Sequence, residues 1–374
     1  MQTHNEWRTL GLQLADTFDT MVAHGARARL HAQAAFARLL HVKEPIDFVA
    51  GPATPHRVLE DWPLARLLHY PSAKPGAGKP ILIVASLINR YYVMDLLPEL
   101  SVIALLNRRG FDVYVLDWKS PGPEGPELAF ADYVDGVIPS AARLVAARHG
   151  GGAGGATGGG LPAVVGYCMG GTLAVMFAAR HADKLRALCL LGTPVEFRLS
   201  GELYNLTDRR RFDADLLMDV LGNMPPFMMQ SGFKLLNPLD AFNKLVSLLR
   251  DAGDGDRVRH FVALESWLDD NVAFPGGVYR EYIRALYQDD LLCKRTMRIA
   301  GTPVDLSKLT APLLNVIALR DHICAPPASR ALMPLVGSKE KEAMEFDTGH
   351  IGLTTSRRSL SELWPRIADW MEQR

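Results

Sequence analysis

A cysteine set between glycines, an aspartate and a histidine, met in that order along the chain, could together perform nucleophilic acyl chemistry. Cys168 stands in Gly166-Tyr167-Cys168-Met169-Gly170-Gly171, the spacing of a sharp strand-to-helix turn that presents a nucleophile, with Cys where Ser is usual. The glycines suit such a turn because bulk at the flanking positions would block the approach of neighbouring backbone. A helix beginning at this point aims free N–H groups and its positive dipole end at the sulfur, which favours thiolate. Asp321 and, in Thr348-Gly349-His350-Ile351-Gly352, His350 supply an acid and a base; Asp347 is the rival acid.

These groups must be held by elements whose ends converge. Short apolar runs rich in β-branched residues at Pro80 to Ser86, Phe111 to Trp118, Pro162 to Tyr167, Ala187 to Gly192, Pro312 to Leu319 and Ala343 to Phe346 read as strands. Each is separated from the next by enough chain for a crossover helix, which implies parallel pairing. Cys168, Asp321 and His350 each fall just past a strand's carboxyl end, and the order nucleophile, acid, histidine is that of the α/β-hydrolase fold. The expected architecture is therefore a doubly wound, mostly parallel sheet with an inserted helical cap. An oxyanion would be held by the N–H of Met169, after the nucleophile, and by that of Ile88, in the loop after the first of these strands. Asn89, Arg90 and His322 are candidates to line the substrate; Arg90 either meets a substrate phosphate or makes a salt bridge.

The pattern divides the chain into a helical preface and linker over 1–79, a first part of the core over 80–197, a cap over 198–303 and a second part of the core over 304–374. Leu10, Leu14, Phe18, Met21 and Val22 recur at helical spacing in the preface, which fits a helix packed on the main domain or docked on a partner or lipid-like surface. The run Gly150 to Gly160 lacks a phosphate-cradle pattern and precedes a strand, so it reads as a surface loop. The cap region carries Phe227, Met228, Met229, Phe233, Trp267, Tyr279, Tyr282 and Tyr287, and its insertion point places it above the strand ends where ligands bind.

Lys+Arg and Asp+Glu both total 41, which removes nucleic acid as an expected partner and leaves self-association permissible. Cys168, Cys189, Cys293 and Cys324 have no metal-ligand or disulfide spacing, so a reducing compartment and no metal are expected. Cys189, within a strand, and Cys293 read as core, and Cys324, close to Asp321, reads as structural, with pocket lining the alternative. His149, His181 and His260 carry no motif and are expected to be solvated. Met1 to Arg27 lacks the uninterrupted apolar core of a signal peptide, and no apolar run reaches spanning length, which predicts a cytoplasmic protein without a membrane span.

At this level of detail the chain resembles the polyhydroxyalkanoate synthases. The stretch Leu87-Ile88-Asn89-Arg90-Tyr91-Tyr92, the pair Asp117-Trp118, the cysteine box, Thr193-Pro194-Val195-Glu196-Phe197, Asp321-His322-Ile323 and Gly349-His350-Ile351-Gly352 carry the likeness. The resemblance implies that Cys168 carries the growing chain as a thioester, that His350 is the general base and that Asp321 assists it. It implies (R)-3-hydroxyacyl-coenzyme A, such as the 3-hydroxybutyryl thioester, as substrate, polyester as product, and no cofactor, coenzyme A being part of the substrate. Ala325 to Leu332 and the short N-terminal extension are similar to the short two-subunit class, implying an accessory subunit beside a homodimer, whereas Asn89 to Pro98 is similar to the longer single-subunit class. Thr348 replaces the family's usual glycine, and the Gly150 to Gly160 run is an insertion. Location on polyester granules follows from the same likeness. A cysteine-dependent depolymerase or acyl-coenzyme A thioesterase on this fold, or a non-catalytic granule protein, are the alternative readings.

Overall fold

The computed structural model describes residues 51–74, 78–150, 160–236 and 254–374. The amphipathic preface and the glycine run at 151–159 lie outside the described residues.

One eight-stranded sheet organises the chain, in the order β1-β2-β4-β3-β5-β6-β9-β10. The strands are β1 (Arg57–Asp61), β2 (Ala65–Tyr70), β3 (Lys79–Val84), β4 (Phe111–Trp118), β5 (Ala163–Tyr167), β6 (Ala187–Leu191), β9 (Leu313–Ala318) and β10 (Lys341–Phe346). A separate two-stranded ladder is formed by β7 (Arg298–Ile299) and β8 (Thr302–Pro303). From β4 through β10 every neighbouring pair is parallel. Strands β5, β6 and β9 are buried along their whole length, as parallel strands with helices over both faces must be. This explains why their sequences are continuous apolar runs rather than alternating ones.

The sheet starts earlier than the expected boundary at residue 80. β1 and β2 pair antiparallel and β2 pairs antiparallel with β4, so residues 57–70 belong to the core and not to a preface or linker. β1 hides itself from a reading of apolar runs because it is an edge strand: four of its five residues are exposed, and its sequence is Arg-Val-Leu-Glu-Asp.

Helices close both faces. α1 (Val102–Arg109) begins where the Ser101 side chain accepts the Ala104 N–H at 2.8 Å. It shares one apolar layer with α8 (Trp364–Glu372), through Ile103, Leu106, Trp364 and Ile367. The other layer holds α2 (Ile138–Arg148) and α3 (Met169–Arg180). α3 buries all its residues but Arg180, and completely buried side chains such as Leu173 and Phe177 each contribute about 1.5–3 kcal/mol by leaving water. The helix that follows Cys168 is therefore firmly seated against the sheet.

Between β6 and β9 the chain leaves the sheet. It forms α4 (Ala214–Leu221), α5 (Pro226–Leu236), α6 (Gly255–Asp269) and α7 (Gly276–Glu281), the last running on into a wider helical turn over Tyr282–Gln288. Asp213 and Asp254 cap α4 and α6, each accepting two backbone N–H groups of the first turn. Strand order reverses about β3, which places β4 on one side and β5 on the other. The crevice at their carboxyl ends, where such sheets bind ligands, opens between the loop after β3 and the turn after β5.

Candidate active site

The turn after β5 holds Cys168 at φ 55° and ψ −129°, a backbone conformation that side chains other than glycine rarely adopt. Gly170 makes it possible, since a Cβ there would run into the carbonyl oxygens of Val84 and Ala85. Cys168 itself is half-buried, while the sheet cysteine Cys189 is fully buried and its thiol is pushed up by that burial. As the first residue of α3, Met169 presents an N–H that no intrahelical carbonyl can reach.

β9 and β10 lie side by side, so the loops after them carry Asp321 and His350 to one place. Those loops are joined by Leu319 N–H to Phe346 O and Arg320 N–H to Thr348 O, both at 2.9 Å. His350 Nδ1 lies 2.6 Å from Asp321 Oδ2, with both residues buried. The other carboxylate oxygen accepts the N–H groups of Ile323 at 2.9 Å and Cys324 at 2.8 Å, so the acid is fixed from both ends. The Cys168 thiol lies within interaction range of the imidazole. Burial works against a charged imidazole here, yet the charges of Cys168 and Asp321 and the hydrogen bond to Asp321 outweigh it and raise His350 to about 10. Cys168, His350 and Asp321 thus form one interacting chain. Asp347 is exposed and held by Arg320, whose Nε lies 2.8 Å from its Oδ1, so the rival acid is turned away from the imidazole.

Gly192, after β6, lies beneath this chain at φ +51°, and a Cβ added to it would come within 3.1 Å of the His350 ring. The Tyr167 ring stacks on His350 with centroids 5.2 Å apart, and its hydroxyl donates to the His350 carbonyl at 3.3 Å. Tyr167 sits in the cysteine box, but nothing in its spacing announces a contact made 183 positions away.

The loop after β3 is more committed than its sequence suggests. Ile88 N–H donates to Ser86 Oγ at 3.2 Å, so that donor already has an acceptor. Asn89 and Arg90 are tied to the insertion and not left open to a substrate. Asn89 Nδ2 donates to Asn271 Oδ1 at 2.6 Å, and Arg90 faces Asp270 at 3.4 Å and Asp117 at 3.9 Å. Trp267 Nε1 donates to the Arg90 carbonyl at 2.7 Å, and Tyr92 donates its hydroxyl to Asp270 at 2.8 Å. Partners so far along the chain explain why the two side chains were read as substrate-lining. His322 is exposed beside Asp321.

The insertion also brings aromatic rings near Cys168. Tyr282 and Tyr287 lie 5.4 Å apart and pack edge-on against Phe197 at 5.7 and 4.9 Å. Burial pushes both phenols up, and the charge of nearby Cys168 adds to it, while the hydrogen bond with Tyr282 works against it at Tyr287. Asp290 secures this corner, accepting from Phe197 N at 3.0 Å and Arg198 Nε at 2.9 Å. Glu196, Asp290 and Cys293 are grouped closely enough to offer metal ligands, and Arg198 already pairs with both carboxylates. The histidines expected in solvent are instead half-buried, His149 on the Tyr114 hydroxyl at 3.0 Å and His181 on Asp135 at 2.9 Å.

Sheet, elbow and converging loops define an α/β-hydrolase-fold protein with a thiol at the nucleophile position. Residues 79–355 match the alpha/beta hydrolase fold family, and residues 43–106 match the poly-beta-hydroxybutyrate polymerase (PhaC) N-terminus. The crystal structure of a Paleococcus ferrophilus monoacylglycerol lipase superposes with a TM-score of 0.52 at 18% identity, over 82% of this chain and 98% of the lipase, a likeness of fold. The poly(3-hydroxyalkanoate) polymerase subunit PhaC of Haloferax mediterranei is 35% identical over 88% of this chain, which spans 66% of that relative's length. The subunit of the same name from Allochromatium vinosum is 33% identical over 81% of this chain and 82% of its own. The chain belongs to the poly(3-hydroxyalkanoate) polymerase (PhaC) family, a family of polymerising acyltransferases in polyhydroxyalkanoate biosynthesis.

Proposed function

We propose that the chain polymerises (R)-3-hydroxyacyl-coenzyme A, 3-hydroxybutyryl-coenzyme A first among such substrates, through a thioester on Cys168. The line Cys168, His350, Asp321 carries this reading. Cys168 Sγ attacks the thioester carbonyl; its carbon–sulfur bond to coenzyme A breaks as the one to Cys168 forms, and His350 returns the proton to the departing thiol. One thioester replaces another, so the acyl group stays activated. His350 then takes the proton of a 3-hydroxyl, whose oxygen attacks the Cys168-bound acyl carbon to make the ester and release the sulfur. The Met169 N–H meets the oxyanion in both halves; Ile88 joins it when the Ser86 hydroxyl rotates away. Asp321 holds the imidazole in the tautomer that presents Nε2.

Water must lose to alcohol in the second half. The rings of Phe197, Tyr282 and Tyr287, in the apolar cluster against which Cys168 packs, support this. Among the described residues no helix is long and apolar enough to cross a membrane. The same reading has the chain work in the cytoplasm, on a granule surface, as a homodimer with an accessory subunit.

The test is direct. Purified chain with a candidate accessory subunit and 3-hydroxybutyryl-coenzyme A should release thiol in step with polymer. Release of free hydroxyacid without polymer would point to a thioesterase or depolymerase instead. Cys168→Ala should end acyl-enzyme labelling.

A further inference from the structure

A thioester of coenzyme A brings several phosphate charges, and the obvious cation near the nucleophile, Arg90, is already spoken for by Asp270 and Asp117. Three other arginines converge on a cleft of about 600 Å³ formed where α1, the start of α6 and the segment after His350 meet. Arg108 comes from α1, Arg259 from α6 and Arg357 from the post-histidine segment, with Leu105 and Leu360 as apolar walls. Glu99 pairs with Arg259, and Asp256 approaches Arg357 at 3.8 Å. Arg108 makes no ion pair among the described residues, so the cleft keeps one positive charge in excess.

A second, independent observation points the same way. Arg259 Nε and His260 Nε2 are both buried without a hydrogen-bond partner among the described residues. Buried polar atoms without a partner are costly, and a bound anion or its hydration shell can complete such donors. His260 also lies within the electrostatic reach of Arg357 and Glu99, so both orphans belong to this corner.

α6 connects the cleft to the reacting centre. Its far end places Trp267 against the loop that carries Ile88, while its first turns hold Asp256 and Arg259 at the cleft. From Arg259 to the helix's end at Asp269 the rise is about 15 Å. α6 thus runs from the cleft toward the loop that carries Ile88.

We propose that this cleft binds the phosphate-bearing nucleotide end of the coenzyme A thioester, with Arg108, Arg259 and Arg357 meeting its phosphates. The proposal rests on the acyl-transfer reading of Cys168 and assigns the part of the substrate that Arg90 does not hold. Guanidinium is suited to this because its planar fork makes two charge-assisted hydrogen bonds to one phosphate.

The experiment compares kcat/KM for 3-hydroxybutyryl-coenzyme A with that for 3-hydroxybutyryl-pantetheine, which lacks the nucleotide. In Arg108→Gln/Arg357→Gln the preference for the coenzyme A thioester should fall about tenfold, chiefly through KM. A preference that stays at the wild-type value, or equal losses on both substrates, overturns the proposal. Calorimetry with adenosine 3′,5′-bisphosphate on the Cys168→Ala protein keeps the test separate from the chemistry. Binding that weakens about tenfold or more when the two arginines are replaced supports the cleft even if no polymer forms. Absence of binding, or binding insensitive to the arginines, refutes it even if polymerisation proceeds.

Discussion

Asp321 and His350 are joined at 2.6 Å, and the carboxylate is itself pinned by two backbone N–H groups, so the imidazole has one orientation available to it. Asp321→Asn keeps the shape and removes the charge. Burial, which opposes protonation of His350, then meets less resistance, and the group should titrate well below about 10. A histidine raised in the folded state stabilises it fully below its unfolded value near ~6.5 and loses that contribution as pH rises toward about 10. The stability gap between wild type and Asp321→Asn should accordingly narrow as pH climbs through that window, which thermal melts across pH will show. Polymer formation should fall by about 10²–10⁴-fold, because His350 keeps its place but loses the carboxylate that orients it and stabilises its charge.

Gly192→Ala should weaken both fold and turnover. The residue's φ of +51° costs an alanine about 1–2 kcal/mol, and the new methyl crowds the His350 ring. Urea denaturation should register the first effect and thiol release the second; full activity in a destabilised variant would mean that the ring yields without leaving Asp321.

The tie between Asn89 and Asn271 joins the insertion to the loop carrying Ile88. A double-mutant cycle with alanine at both positions should return a coupling of about 0.5–1.5 kcal/mol in stability. Either single substitution should lower kcat more than it raises KM, because the loop's donor is displaced while the substrate's binding surface is not. Additive singles would show that the tie exists without consequence.

His69 is buried against Tyr114, ring to ring at 4.5 Å, with Nδ1 unpartnered among the described residues and Nε2 3.3 Å from Asp112. Burial lowers its pKa beyond what Asp112 restores. A lowered histidine lends stability above its unfolded value near ~6.5 and loses it as pH falls toward the folded value. The melting temperature should therefore decline from pH ~7 to ~5, and His69→Phe, which keeps the stack and removes the titration, should decline less. Parallel slopes would assign the acid sensitivity to other groups, such as the similarly lowered His149 and His260.

Strands such as Ala163–Tyr167 and Ala187–Leu191 were legible because a strand covered on both faces is apolar nearly throughout, and that composition survives in the linear sequence. The placement of Cys168, Asp321 and His350 was legible for a related reason: each sits just past a strand's end, a relation between near neighbours in sequence. What escaped depended on distant partners. Arg90 invites a phosphate until Asp270 is found beside it, 180 positions on, and Asp347 competes with Asp321 until Arg320 is seen to hold it. β1 escaped for the opposite reason, since a mostly exposed edge strand has no apolar run to display.

That same edge has a bearing on how copies of the chain coexist at high local density. An open strand offers unpaired amides to any neighbour, and the remedy found in natural sheets is charge and irregularity. Here the outermost strand bears Arg57, Glu60 and Asp61 and breaks register between Val58 and Glu60. Molecules packed shoulder to shoulder would meet there across a charged, kinked border that resists fusing into a shared sheet.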